Sequence, residues 1–189
     1  MPTVTALTNT AAQSSLFGKG TSWSSVNQCA LVDNSSGTCD IPNLGFSNTV
    51  EVGVQLPDIP EKAFLKGITC VFTCKRAGTN SVGVAPQLYS VTLLDEKSSG
   101  GGSVIATTKT NLGKDLKPSS YSDILVGSST DLWNTGFNVP DQLPSKLTVA
   151  VQFAGSRSGG VAEIVSLDGI TVLFDWDFYN EFIPKLGKQ

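Results

Sequence analysis

Short runs of alternating apolar and polar residues recur along this chain. Its apolar residues almost nowhere repeat at the 3.6-residue spacing of an amphipathic helix. The clearest run is near the end, where Leu167, Ile170, Val172 and Phe174 are interrupted by polar residues and Gly169 permits a bulge. Alternation of this kind is typical of a strand that buries one face. The pattern therefore predicts an all-β protein.

Turn-forming clusters separate about eight candidate strands, and the connections between them are long and uneven. These candidates are residues 28–32, 49–55, 63–75, 86–95, 103–108, 121–126, 146–154 and 161–175. We predict a two-sheet antiparallel β-sandwich of jelly-roll type, because an up-and-down barrel would have regular hairpins. A chain of 189 residues is long enough for one such core.

Three regions are expected along this single chain. Residues 21–176 should form the sandwich, and residues 1–20 should form an N-terminal arm. Residues 177–189 follow the last predicted strand and should form a C-terminal segment that either docks on a neighbour or covers the sandwich. The segment is rich in large apolar side chains that a free tail would not keep exposed, namely Phe178, Tyr179, Phe182, Ile183 and Leu186.

The chain contains no histidine, which excludes Ser-His-Asp, Cys-His and His-zinc chemistry. It also lacks a phosphate-binding glycine motif. We therefore expect no enzymatic activity, no cofactor and no required metal. A glycosidase would need two carboxylates facing a cleft, and the spacing of Asp175 and Asp177 alone is weak support for one.

The charge and hydropathy of the chain also limit its partners. The formal charge is −3, and the 13 basic residues are scattered, so no cationic stripe is available for nucleic acid. No run reaches the ~18 apolar residues of a membrane span, and the N-terminus lacks the features of a secretory signal. We expect no nucleic acid partner, no membrane and assembly in a host cytoplasm.

The four cysteines are expected to be reduced and buried. Cys70 and Cys74 lie on one face of a predicted strand, where their sulfurs would be ~13 Å apart and could not bridge. Cys29 and Cys39 flank a predicted hairpin turn, and a bridge between them is compatible with that turn but not required. Reduced thiols are the rule in a cytoplasm, so we favour four small apolar core residues.

The segment SSTDLWNTGF places a tryptophan, Trp133, in a turn. In one interpretation, Asp131 accepts backbone N–H groups while Trp133 folds inward and closes one end of the sandwich. In the other, Trp133, Tyr121, Asp123 and Asp131 form a glycan-binding platform. We favour the structural plug because most tryptophan side chains are largely buried.

Several segments resemble, in order, a jelly-roll module of tailed-phage and prophage virion proteins, over roughly residues 20–176. They are WSSVNQCALVDNSSGTC, AFLKGITCVFTCKRAG, SVTLLDE, SSTDLWNTGF, KLTVAVQFAG and LDGITVLFDW. Those modules share an early Trp, an I-x-G-I strand, a Gly-Gly-x-x-Asp-Leu-Trp-Gly turn and a closing Asp-Gly-Ile-x-Val strand. Here Ser128 and Ser129 replace the paired glycines, Asn134 replaces the last one, and Trp23 lacks a following Asn-Pro.

The resemblance implies a non-enzymatic structural protein of a virion. It suggests a capsid decoration or cement protein that binds the particle surface as a symmetric homo-oligomer, and we favour a trimer. Its partners would be a major capsid or appendage protein. The alternative is a tail or head-fibre appendage that binds a host-surface glycan. The resemblance supplies no catalytic residues.

Overall fold

The computed structural model describes residues 3–60, 62–77, 85–95, 103–137, 143–144, 146–155 and 162–178. These residues contain nine β-strands and one 3-10 turn at Val26–Cys29. The strands are β1 (Thr3–Ser14), β2 (Gly37–Ile41), β3 (Thr49–Gln55), β4 (Ala63–Ala77), β5 (Gln87–Asp95), β6 (Lys114–Asp115), β7 (Ser122–Ser128), β8 (Lys146–Ala154) and β9 (Glu163–Phe178). Within the described ranges, no helix is long and apolar enough to cross a membrane.

The strands form two antiparallel sheets that share strand β1. The first sheet has the order β1-β9-β4-β7, with β2 also paired to β9, and the second has the order β6-β5-β8-β3-β1. Four pairs are nested along the chain, since β1 pairs with β9, β3 with β8, β4 with β7 and β5 with β6. This is the strand order of a jelly roll. The predicted all-β, two-sheet antiparallel sandwich of jelly-roll type is confirmed.

Strand β1 joins the two sheets along one side of the sandwich. Its residues 3–6 pair with β9, and residues 7–14 pair with β3. These residues belong to the segment that the sequence predicted to be an N-terminal arm, so the structure extends the sandwich to Thr3. The segment is rich in Thr and Ala, whose small side chains give a weak alternating signal. Its strand structure depends on backbone pairing with two partners.

The core lies between the sheets and is built from the inward faces of their strands. Ile68 and Phe72 of β4 and Val151 and Phe153 of β8 belong to one core cluster, and all four are fully buried. Leu167 of β9 belongs to the same cluster. Each strand thus contributes alternate residues, as the sequence pattern predicts.

The four cysteines are free and buried, as predicted. Cys70 and Cys74 lie on the inward face of β4, and Cys29 and Cys39 belong to the same core cluster. Burial is the main cause that raises the pKa of Cys29, Cys39 and Cys74 to about 12. It raises the pKa of Cys70 as well. These thiols therefore remain protonated near neutral pH.

Two predicted strands are not strands. Residues 28–32 begin in the 3-10 turn and continue as bends, and Leu31 and Val32 are each 51% exposed. Their backbone crosses the first sheet at Gly169, where an added Cβ would lie 2.5 Å from the Leu31 carbonyl carbon. Residues 103–108 make one isolated bridge, between Val104 and Leu94 of β5. In both places, packing against a neighbouring strand decides the conformation.

Strand β9 contains the bulge that its glycine suggested. The pairing of β4 with β9 shifts between Thr73 and Cys74, which leaves Asp168 as the extra residue beside Gly169. Asp168 is 2% exposed and accepts a hydrogen bond from the backbone N–H of Asp33. Burial, together with the charge of Asp33, raises its pKa. The bulge thus turns a carboxylate toward the loop that crosses Gly169.

Candidate functional site

Trp133 closes the side of the sandwich opposite β1. Its side chain is 1% exposed, and its indole N–H donates a 2.8 Å hydrogen bond to the carbonyl oxygen of Ile68 in β4. A buried indole with its donor satisfied contributes to the core rather than to a surface platform. The structural plug is therefore the correct interpretation of SSTDLWNTGF.

Hydrogen bonds hold the Trp133 turn to both sheets. The Asp131 carboxylate accepts from the backbone N–H of Trp133 at 2.8 Å, as the sequence predicted. The backbone N–H of Ile68 donates to the Asp131 carbonyl oxygen at 2.9 Å. The backbone N–H of Thr107 donates to the Trp133 carbonyl oxygen at 2.7 Å. Ile68 belongs to the first sheet, and Thr107 lies in the loop along β5 of the second. The turn therefore bridges the open side of the sandwich.

Lys109 completes this structural unit. Its ammonium nitrogen lies 2.7 Å from Oδ2 of Asp131 and 4.8 Å from the centre of the Trp133 ring. Burial acts to raise the pKa of the Asp131 carboxyl, but the hydrogen bond and charge of Lys109, together with the N–H of Trp133, outweigh it. The pKa of Asp131 therefore lies below its ordinary value, and the carboxylate stays charged at neutral pH.

The backbone of the turn has a left-handed conformation. Trp133 has a φ of 54°, and Asn134 has a φ of 56°. A bulky residue rarely adopts this conformation, whereas Gly and Asn adopt it most readily. Asn134 therefore suits its position in the turn, whereas Trp133 holds a conformation that is unusual for so large a residue.

The turn also explains the glycine of strand β4. A Cβ added to Gly67 would lie 2.2 Å from the carbonyl oxygen of Ser128 and 2.3 Å from the carbonyl carbon of Ser129. No side chain fits at this distance, so only glycine lets β4 approach the turn. Within β4, Gly67 thus lies against Ser128 and Ser129, and Ile68 makes hydrogen bonds with Asp131 and Trp133.

The structure separates the residues of the predicted glycan platform. Asp123 pairs with Thr73 at one end of β7, whereas the Trp133 turn follows Ser128 at the other end, five residues or ~16 Å away. The Asp123 carboxylate accepts from the Thr73 hydroxyl at 2.7 Å. The Tyr121 ring lies 4.2 Å below the ammonium of Lys75. Tyr121, Asp123, Asp131 and Trp133 therefore do not converge on one surface.

The two carboxylates considered for a glycosidase have separate structural partners. Asp175 is 7% exposed and accepts a 2.6 Å hydrogen bond from the Thr3 hydroxyl. Asp177 lies 3.8 Å from the ammonium of Lys66. Elsewhere in the described part of the chain, no group of three or more His, Cys, Asp or Glu side chains is arranged to hold a metal ion.

Strand β9 extends into the predicted C-terminal segment. Asp177 and Phe178 still pair with β4, and the Phe178 ring packs edge-on against Trp176 at 5.1 Å. Phe178 is 50% exposed. The other expected assembly contacts lie outside the described residues, and they are Tyr179, Phe182, Ile183 and Leu186.

A shallow pocket lies where β5 and β8 meet the turn after β2. Its volume is about 120 Å³, and it is lined by Leu44, Gly45, Phe46, Tyr89, Ala154 and Gly155. The rings of Phe46 and Tyr89 are 5.0 Å apart with their planes tilted by 58°. Sequence reasoning missed this pocket because its two rings come from separate segments. The large apolar residues of the NLGF turn were the available signal.

Comparison with known proteins leaves the family open. The sequence matches no protein-family model and no curated protein. Among solved structures, the Stig cyclase Fisc from Fischerella sp. TAU, in complex with (3Z)-3-(1-methyl-2-pyrrolidinylidene)-3H-indole, is 11% identical over 87% of this chain and 73% of its own, with a TM-score of 0.41.

Two further solved structures are similar at the same low level. SGBP-B, from a complex xyloglucan utilization locus in Bacteroides uniformis, is 12% identical over 90% of this chain and 46% of its own, with a TM-score of 0.45. CBM28, a carbohydrate-binding module specific for non-crystalline cellulose, is 11% identical over 80% of this chain and 86% of its own, with a TM-score of 0.32. Such similarity assigns neither a ligand nor an activity to this chain.

Proposed function

We propose that this chain is a non-enzymatic structural protein of a virus particle. In this proposal it is a capsid decoration or cement protein that binds the particle surface as a multimer, with a trimer favoured. The proposal starts from the ordered resemblance to jelly-roll modules of tailed-phage and prophage virion proteins. It does not depend on any catalytic or cofactor-binding residue.

The observation that carries the proposal is the contact between two of the resembling segments. Gly67 and Ile68 come from AFLKGITCVFTCKRAG, and Trp133 comes from SSTDLWNTGF. The Trp133 indole donates to the Ile68 carbonyl oxygen, and Gly67 leaves room for the turn. Two segments distant in sequence thus form one structural unit. Because the two segments contact each other in the fold, their resemblance to the virion modules is better explained by a shared structure than by two chance matches of short sequence.

A docking function for the C-terminal segment is part of this proposal. Phe178 is half exposed at the end of the last described strand, next to Trp176. An exposed aromatic residue of this size is a suitable anchor for a partner surface. We infer that the segment beginning at residue 177 makes the contact with the particle or with a neighbouring subunit.

The proposal is tested by the composition of purified particles. Virions purified by density gradient from cells that produce this protein should contain the full chain in a fixed ratio to the major capsid protein. A variant truncated after Trp176 loses the pairs of Asp177 and Phe178 with β4, so it should melt slightly below the full chain but remain folded, and it should fail to join particles. Absence of the full chain from the particles would contradict a virion role. Unfolding of the truncated subunit would assign the segment to the core.

A glycan-binding appendage is the second candidate, and one observation favours it. The residues first considered for it are dispersed or buried, but Phe46 and Tyr89 form a paired aromatic surface at a pocket elsewhere on the sandwich. An appendage that recognises a host glycan would need a surface of this kind.

A further inference from the structure

The aromatic pair at the pocket is presented by a local distortion of the sheet. The pairing of β5 with β8 shifts between Leu88 and Ser90, so Tyr89 is the extra residue of a β-bulge. Leu88 points into the core and is fully buried, whereas Tyr89 lines the pocket. Bulges redirect side chains and often occur beside binding sites.

The opposite wall comes from the turn after β2. Phe46 is 37% exposed, and Leu44 is 67% exposed with a φ of 58°, which is unusual for a large side chain. The turn is closed by a hydrogen bond from the Gly45 N–H to the Pro42 carbonyl oxygen. The Gly155 N–H donates to the Gly45 carbonyl oxygen and so ties the turn to the end of β8. The turn therefore keeps two large apolar side chains at the surface.

An amide lies next to the pocket, and a carboxylate lies one strand farther from it, on β6. Gln87 lies directly opposite Ala154 in the ladder, so their side chains are on the same face. The Gln87 side-chain N–H donates a 2.6 Å hydrogen bond to the Asp115 carboxylate. No described residue donates a hydrogen bond to the second carboxylate oxygen of Asp115 or to the amide oxygen of Gln87, so both oxygens can accept from a ligand.

This combination fits a neutral sugar. The C–H groups of a pyranose face pack against the electron-rich faces of aromatic rings, and its hydroxyl groups donate to amide and carboxylate oxygens. None of the described residues that line the pocket is Lys or Arg, so these residues offer an anionic ligand no counter-charge. We propose that the pocket between Phe46 and Tyr89 binds one neutral hexopyranose residue, with Gln87 and Asp115 accepting from its hydroxyl groups.

The size of the pocket sets the expected mode of binding. Its volume of about 120 Å³ is below the 300 to 1,000 Å³ usual for sites that enclose a larger ligand. One terminal sugar would therefore be held, with an affinity on the order of 1 mM. Several copies on a symmetric scaffold would strengthen attachment to a surface that displays many such sugars.

The test uses the full chain and the methyl glycosides of glucose, galactose, mannose and N-acetylglucosamine, with N-acetylneuraminic acid as an anionic comparator. Saturation-transfer NMR should detect at least one neutral glycoside. Its affinity should fall at least tenfold in Tyr89→Ala and several-fold in Gln87→Ala. Leu125→Ala, a change at a 56% exposed residue of β7, is the matched control and should leave binding unchanged.

Three results would overturn the proposal. They are binding of none of the neutral glycosides, binding only of the acidic sugar, and binding that survives Tyr89→Ala. A change in assembly mass in Tyr89→Ala without any sugar binding would instead make the pocket a subunit contact. If Tyr89→Ala does not fold, Gln87→Ala and Asp115→Ala beside the pocket decide the question. None of these results bears on the presence of the chain in virions.

Discussion

The ammonium group of Lys109 lies 2.7 Å from the carboxylate of Asp131 and also lies over the ring of Trp133. One cation is thus shared by an anion and an indole on the same turn. Because the side chains of Lys109 and Asp131 are only 27% and 30% exposed, solvent screens the pair incompletely. The pair fixes the turn that closes the open side of the sandwich.

Replacing Trp133 with Phe should destabilise the protein by about 2–4 kcal/mol, because it leaves the Ile68 carbonyl oxygen without its donor and removes buried volume. Urea unfolding measures the change. Trp176→Phe is the matched control, since the buried indole nitrogen of Trp176 has no hydrogen-bond partner within the described structure. The control should cost clearly less. Equal losses would mean that the hydrogen bond of Trp133 contributes little.

Asp131→Asn should lower stability at neutral pH by about 1 kcal/mol, because it removes a partly exposed ion pair. The pKa of Asp131 is below its ordinary value of 3.8, so the carboxylate stabilises the fold above that pH and loses this effect as the pH falls through the folded-state pKa. The difference between wild type and variant should therefore be full at pH 6 and shrink below pH 4.

Unfolding curves at several pH values measure this effect, with Asp58→Asn at an exposed position as the control. The control should show no comparable loss at neutral pH. A difference for Asp131→Asn that stays constant down to pH 2 would contradict the assigned role of the ion pair.

Gly67→Ala should destabilise the protein by more than about 3 kcal/mol, because backbone atoms of the Ser128 turn occupy the space of the new methyl group. Gly136→Ala provides the comparison. Gly136 has a φ of 74° but nothing within 4 Å of the added Cβ, so its cost should be about 1 kcal/mol from backbone conformation alone. Thermal unfolding ranks the two variants. The reverse order would show that the turn can move away from β4.

The thiols should not react in the native protein. Their raised pKa values, about 12 for Cys29, Cys39 and Cys74, leave almost no thiolate at pH 8, and the core excludes reagents. Ellman's reagent should therefore titrate fewer than one thiol per folded chain and all four after unfolding in guanidinium. Rapid reaction of two thiols before unfolding would reveal local opening around one cysteine pair.

Long alternating runs made the strands of the sandwich predictable. Residues 49–55 and 146–154 were predicted with the bounds that the structure has, because alternate apolar residues of each strand belong to the core. They are Val50, Val52 and Val54 in β3 and Leu147, Val149, Val151 and Phe153 in β8. Strand β1 was missed because its Thr and Ala residues give little periodic contrast. Strand β2 is only five residues long, and its buried Cys39 and Ile41 were too few to form a pattern.

The sequence also predicted the role of Asp131 and the burial of Trp133, because a turn residue and a large apolar side chain act locally. Contacts between distant segments were not predictable in this way. The partnership of Phe46 with Tyr89 depends on how β5 and the turn after β2 meet. The distance between Tyr121 and Trp133 was not predictable either, because Tyr121 precedes β7 and Trp133 follows it, so they lie at opposite ends of this strand.

Thr3 and Asp175 are 172 positions apart, yet the threonine hydroxyl donates a 2.6 Å hydrogen bond to the carboxylate. The strands that contain them are neighbours in the first sheet, so residues 3–6 of β1 lack their partner until β9 has been synthesised, whereas residues 7–14 pair with β3. Pairings this remote slow folding, because a large loop must close before the contacts form. A nascent chain still lacking β9 exposes an unpaired strand edge, where copies emerging from neighbouring ribosomes can associate.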